Sequence, residues 1–279
     1  PQIPLWIQLP ANKEERMVPQ FMPGLPGICS TADRVYIDSA QDDFENDILK
    51  FYEDYMAVTD GGSDLSTSRF ALNEKTARGF FVFVEHLKRL PAAPAALKGQ
   101  ITGPFTFCTG ISDQNKKAII YDEQAKDAAV KLLALKSRWQ VQQLNRFGCP
   151  IIIFFDEPAL SGFGSSEFIS ISRDVIVQSL EEVFAAVHAE GGLAGVHEGQ
   201  FRRDRLAHDD RAFGLQAFND ERIPKRYAPS VTSTAILGWN ALRVDHVLDA
   251  DRQSMQAPQR PPCPAVHVQS AGLTTGELR

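Results

Sequence analysis

The chain has 279 residues, 43% of them hydrophobic, and its 29 basic and 35 acidic side chains leave a net charge of -6. That is enough apolar material for the core of one domain, and the length is near that of a single (β/α)8 barrel. Charges of both signs are interspersed, so the electrostatic footprint of a nucleic-acid or membrane-surface protein is missing and a small-molecule partner is expected.

The opening segment, Pro1 to Pro10, reads as a strand running into a Pro-rich loop; it lacks an initiating Met, and a segment is expected upstream. Turn residues follow at Met22-Pro23-Gly24-Leu25-Pro26-Gly27. From Gln41 to Met56, Phe44, Ile48, Phe51, Tyr52 and Tyr55 recur at helical spacing and predict an amphipathic helix. Phe80, Phe81, Phe83, Val84 and Leu87 predict a second, stopped by Pro91 and Pro94. Leu97 to Phe105 reads as a strand and then a loop, because Pro104 has no amide donor for a sheet ladder. A long helix is expected from Asp122 to Phe147, with Gly148 as its stop. The uninterrupted apolar run Ile151 to Phe155 suits a strand covered on both faces, as in a parallel sheet. Helical periodicity returns from Phe168 to Glu190, Gly191-Gly192 closes it, and Leu193 to His197 is the next strand. The order β-α-β-α-β with short connections predicts an α/β fold of the TIM-type (β/α)8 barrel class.

Beyond His197 the sequence changes character. Residues 1–197 contain 10 Lys and 8 Arg, whereas residues 198–279 contain 1 Lys and 10 Arg. Hydrophobic periodicity fades, and residues 256–264 read as a linker. The expectation is a core at 1–197 and a divergent or frame-shifted remainder of the same barrel at 198–279. No apolar run approaches the roughly 18 to 20 residues of a membrane span, and no basic-then-apolar leader opens the chain. Cys29, Cys108, Cys149 and Cys263 are far apart with no CxxC pair, so a cytoplasmic protein without a disulfide framework is expected.

The chemistry-bearing residues fall at strand ends. Asp156 and Glu157 close the most apolar strand, and Pro158 turns the chain immediately after them. Carboxylates there can bind an ammonium group, act as general bases or ligate a metal; equally, one can cap a helix or pair with an arginine. Thr102, Gly103 and Pro104 end the preceding strand, where glycine permits either close approach of a ligand or simply a tight turn. His197 ends the following strand and suits a zinc ligand, an acid-base group or a hydrogen-bonded buried histidine. No phosphate-binding loop, dinucleotide fingerprint or nucleophile elbow is present.

Three segments carry a resemblance. Trp6 to Pro10 running through Gly24 to Ile28, Lys98 to Thr106, and Asp156-Glu157-Pro158-Ala159-Leu160 resemble the superfamily of uroporphyrinogen decarboxylase and cobalamin-independent methionine synthase, and in particular its short single-barrel bacterial members. The resemblance covers residues 1–197 and implies a barrel whose first strand precedes Pro1 and whose last third is atypical. It implies methyl transfer from a methyl donor to a thiol in methionine biosynthesis, with zinc activating the thiol. Asp156 would hold the amino group of the substrate, Glu157 would support it, and Thr102 to Pro104 would shape the pocket. The zinc ligands implied are His197 and Glu221; the two cysteine positions of the pattern are occupied by Gly199 and Ala271, and Gly162 stands at a folate-contacting glutamate. Two other readings accompany this one. A decarboxylase-like or corrinoid-linked methyltransferase is the first, though tetrapyrrole recognition would want clustered arginines, and the 8 of residues 1–197 are scattered. A non-catalytic or defective member is the second, supported by the missing thiol ligands.

Overall fold

The computed structural model describes residues 3–31 and 34–197. Its centre is a three-stranded parallel sheet of β3 (Leu97–Thr102), β4 (Ile151–Asp156) and β5 (Leu193–His197), ordered β3-β4-β5. Thr102 lies opposite Asp156, and Asp156 opposite His197. Apart from it, β1 (Ile28–Ser30) and β2 (Val35–Ile37) form an antiparallel pair that the sequence pattern did not announce.

The expected (β/α)8 barrel is therefore not what the described residues form. Eight strands with matched tilt and shear are needed to close a barrel; here three pair in parallel, and the other two run antiparallel in a sheet of their own. The first predicted strand contributes one bridge, Leu5 beside Lys98, with the Lys98 amide donating to the Pro4 carbonyl at 3.0 Å. Pro4 and Pro10 bracket that segment and have no amide to donate to a ladder. The β-α-β-α-β order was correct, but sequential parallel pairing is common to open sheets and barrels and does not by itself imply closure. Residues 198–279, with Gly199, Glu221, Cys263 and Ala271, lie outside the described residues.

Among the described residues five α-helices accompany the sheet. In α1 (Phe44–Thr59), Phe44, Ile48, Phe51 and Val58 are buried, and in α2 (Arg78–Leu87) Phe80, Phe83, Val84 and Leu87 are. Trp6 meets Phe80 edge to face with centroids 5.9 Å apart, so the amino-terminal segment is clamped against α2. The segment after Thr102, expected as a loop, is instead α3 (Pro104–Gly110). Proline at the first helical position loses nothing, because that amide has no partner within the helix, and its fixed φ suits the helix.

The long helix α4 (Glu123–Asn145) starts where the Asp122 carboxylate accepts the Ala125 amide at 2.9 Å. Gly148, at φ +69°, reverses the chain just beyond its end. Ala125, Ala128, Ala129 and Ala134 are buried along α4, and α5 (Arg173–Ala189) lies alongside it. Alternation along the strands then divides the sheet. Ile151, Ile153 and Phe155 belong to the main core shared with α4 and α5, whereas Ile152 and Phe154 form a smaller cluster with Ala96 and Leu193. On this second face the register aligns Lys98, Gln100 and Thr102 with Ile152, Phe154 and Asp156.

Candidate functional site

The carboxyl ends of β3, β4 and β5 bring Thr102, Asp156 and His197 into one row, each the last residue of its strand. Backbone bonds lock the turns beyond them. The Gly103 amide donates to the Asp156 carbonyl at 2.8 Å and the Glu157 amide to the His197 carbonyl at 2.7 Å. The Thr102 hydroxyl donates to the Met17 carbonyl at 2.6 Å, which ties the segment between the short helical turns Lys13–Glu15 and Pro19–Phe21 to this end of the sheet.

Glu157 is fully buried. Its Oε1 accepts the Phe105 amide at 2.8 Å and its Oε2 the Thr106 amide at 2.7 Å, so both oxygens cap the start of α3. The Thr106 hydroxyl in turn accepts the Ala159 amide at 3.1 Å, joining the turn after β4 back to α3. Burial pushes the Glu157 carboxyl up to about 7, against the amides and the Thr106 hydroxyl that favour its charged form. Of the two adjacent acids, Glu157 is thus the one that builds the site. Gly103 serves it directly: a Cβ there would lie 2.3 Å from Cγ and Cδ of Glu157. The close approach that glycine permits at this position is to a carboxylate of the chain itself.

Asp156 is arranged differently. Its side chain keeps 19% exposure, and Oδ1 lies 3.4 Å from Nδ1 of His197, whose side chain is 47% exposed. A protonated imidazole makes an ion pair at that distance, and a neutral one can present Nδ1–H to the carboxylate. Burial raises the Asp156 carboxyl above its ordinary range, offset in part by His197 and by the positive charge of Lys98. An open, partly desolvated carboxylate beside an imidazole can hold a cationic group or orient the imidazole as a base.

Pro104 stands at the first position of α3 and is buried, so it shapes the turn but offers no polar atom to a ligand beyond its carbonyl. Of the predicted residues, the structure brings Thr102, Gly103, Pro104, Asp156, Glu157 and His197 together. Glu221 lies outside the described residues. Among the described residues the donors do not amount to a zinc site. Among the described residues no group of three or more His, Cys, Asp or Glu side chains could hold a metal, and Gly199 and Ala271 carry no donor atom in their side chains. Sequence reasoning missed Lys98, which shares a sheet face with Asp156. The signal was there in the period of two: Lys98, Gln100 and Thr102 are consecutive polar residues on one side of a buried strand.

Comparison with protein-family models, with curated proteins and with solved structures finds no match for this chain.

Proposed function

We propose that this protein transfers a methyl group to the thiol of an amine-bearing substrate, with Asp156 holding the substrate's ammonium group. The observation that carries the reading is the Asp156–His197 pair at the carboxyl ends of adjacent parallel strands, where open α/β sheets bind their ligands. The resemblance of Lys98 to Thr106 and of Asp156 to Leu160 to the methionine-synthase branch supports the same assignment.

In this reading Oδ1 of Asp156 faces Nδ1 of His197, and Oδ2 receives the ammonium. Partial burial strengthens that attraction, because water competes less for the carboxylate. With Asp156 fixing its tautomer, His197 presents Nε2 to the substrate and takes the thiol proton. The thiolate sulfur then bonds to the methyl carbon of the donor, and the electron pair of the broken bond leaves with the donor. Glu157 keeps α3 and the Gly103 turn in place behind Asp156 and touches no substrate. The reading places the protein in the cytoplasm, where its free Cys29, Cys108 and Cys149 would stay reduced; among the described residues no helix is long and apolar enough to cross a membrane.

The test pairs calorimetric binding of an amino-acid thiol such as homocysteine with an assay of methyl transfer. Asp156→Asn is expected to weaken binding about tenfold or more, equivalent to about 1.4 kcal/mol. His197→Ala should leave binding nearly intact and slow transfer about a hundredfold, the usual scale of a lost general base. A wild-type protein that binds no aminothiol would overturn the proposal. Binding without transfer would favour a second reading, a non-catalytic amine-binding protein, which the residues Gly199 and Ala271 at the positions of thiol ligands support.

A further inference from the structure

Lys98 is the second residue of β3 and shares the sheet face of Phe154 and Asp156. Its Nζ lies 4.2 Å from the centroid of the Phe154 ring. Phe154 and Asp156 are two residues apart on one strand, hence about 6.6 Å apart along it. The face therefore carries a cation, a buried aromatic ring and a carboxylate in succession. The other polar side chains of β3 on this face are engaged: Gln100 donates to the Trp6 carbonyl at 3.3 Å, and Thr102 to the Met17 carbonyl. Lys98 Nζ has no hydrogen-bond acceptor among the described residues, and the ring is its one direct partner there.

We infer that Lys98 recognises a carboxylate of the substrate, so that Lys98 and Asp156 together select a zwitterionic amino acid, the ammonium going to Asp156 and the carboxylate to Lys98. The inference rests on the assignment of Asp156 as the ammonium-binding group. Burial lowers the Lys98 pKa and the Asp156 charge raises it again, so the two groups influence each other electrostatically. A bound carboxylate would supply the ammonium with the charged acceptor it lacks. The competing role is structural, a lysine stem lying over Phe154 with its charge in solvent; substrate selectivity separates the two.

The experiment measures binding of three thiols by calorimetry: an amino-acid thiol, its decarboxylated aminothiol and its deaminated mercapto acid. Wild-type protein is expected to bind the amino-acid thiol at least tenfold more tightly than either analogue. Lys98→Met should bind the amino-acid thiol and the aminothiol equally, and Lys98→Arg should restore part of the preference. Circular dichroism confirms that each variant is folded; if Lys98→Met is not, the wild-type preference and its reduction in Lys98→Arg decide the matter. Equal wild-type affinity for amino-acid thiol and aminothiol, or an undiminished preference in Lys98→Met, would overturn the role of Lys98 while leaving Asp156 as the ammonium site. Failure of wild-type protein to bind any of the three removes the function proposed above and this inference with it.

Discussion

At Gly103 one hydrogen atom in place of a side chain keeps the buried Glu157 carboxylate where it is. A methyl group would overlap Cγ, Cδ and Oε1 of Glu157, all within 2.4 Å of the added Cβ, and these atoms are held from the other side by the amides of Phe105 and Thr106. Gly103→Ala is therefore expected to cost about 1–3 kcal/mol, the range of forced overpacking, as a lowered urea midpoint. An unchanged midpoint would mean that Glu157 moves freely, which its two short bonds argue against. That Asp156 and Glu157 fall at a strand end was legible in the sequence, but the different surroundings of their two carboxylates were not. Adjacent residues on a turn point in different directions, and which one meets α3 depends on a helix whose start lies more than fifty residues earlier.

The elements that were read well are those whose signals are local. Helix α4 begins at a residue whose short carboxylate satisfies an otherwise unpaired amide and is followed by a glycine in the left-handed region, and both features are visible in the sequence. Asp122→Ala should destabilise the protein by about 0.5–2 kcal/mol with little change in any activity, measured by chemical denaturation. Helix α3 was missed because its seven residues make only about two turns and it opens on a proline that equally suits a loop. Its cap comes from Glu157, far away in sequence, so no local cap announces it. The β1–β2 pair was missed for a similar reason: three-residue strands are too short to alternate.

For the molecule as a whole, two fully buried ionisable groups set opposing pH dependences. Burial raises Glu157 from its ordinary 4.5 to about 7, so between those values the folded chain holds a proton that the unfolded chain releases. Its contribution is complete below about 4.5 and is lost as pH rises through about 7. Burial lowers Lys136 from 10.5 to about 7, and its bond to the Ala71 carbonyl is long, at 3.4 Å. Between about 7 and 10.5 the unfolded chain binds a proton there that the folded chain does not, so stability recovers as pH rises across that window. Asp156, raised, and Lys98, lowered, act in the same two directions. The expected profile of urea midpoint against pH has a minimum near neutrality, and a steady rise or fall from pH 5 to 9 would contradict it. Lys136→Met should raise stability at pH 7 by about 1–3 kcal/mol and flatten the recovery above it.

Composition, period and turn chemistry by themselves determined the helices α1, α2, α4 and α5, the three parallel strands and their order, because each depends on interactions within a few residues or on a run of one polarity. The same patterns pointed to Asp156 and Glu157 as the edge of a site. Only the tertiary structure decided that the sheet of the described residues has three strands and is not a closed barrel, since closure depends on how many strands pair and at what tilt. It also decided that Glu157 turns inward to cap α3 while Asp156 stays open beside His197, and that Lys98 shares their sheet face. Those are consequences of register between strands distant in sequence, where shifting the pairing by a single residue would send every side chain to the opposite face.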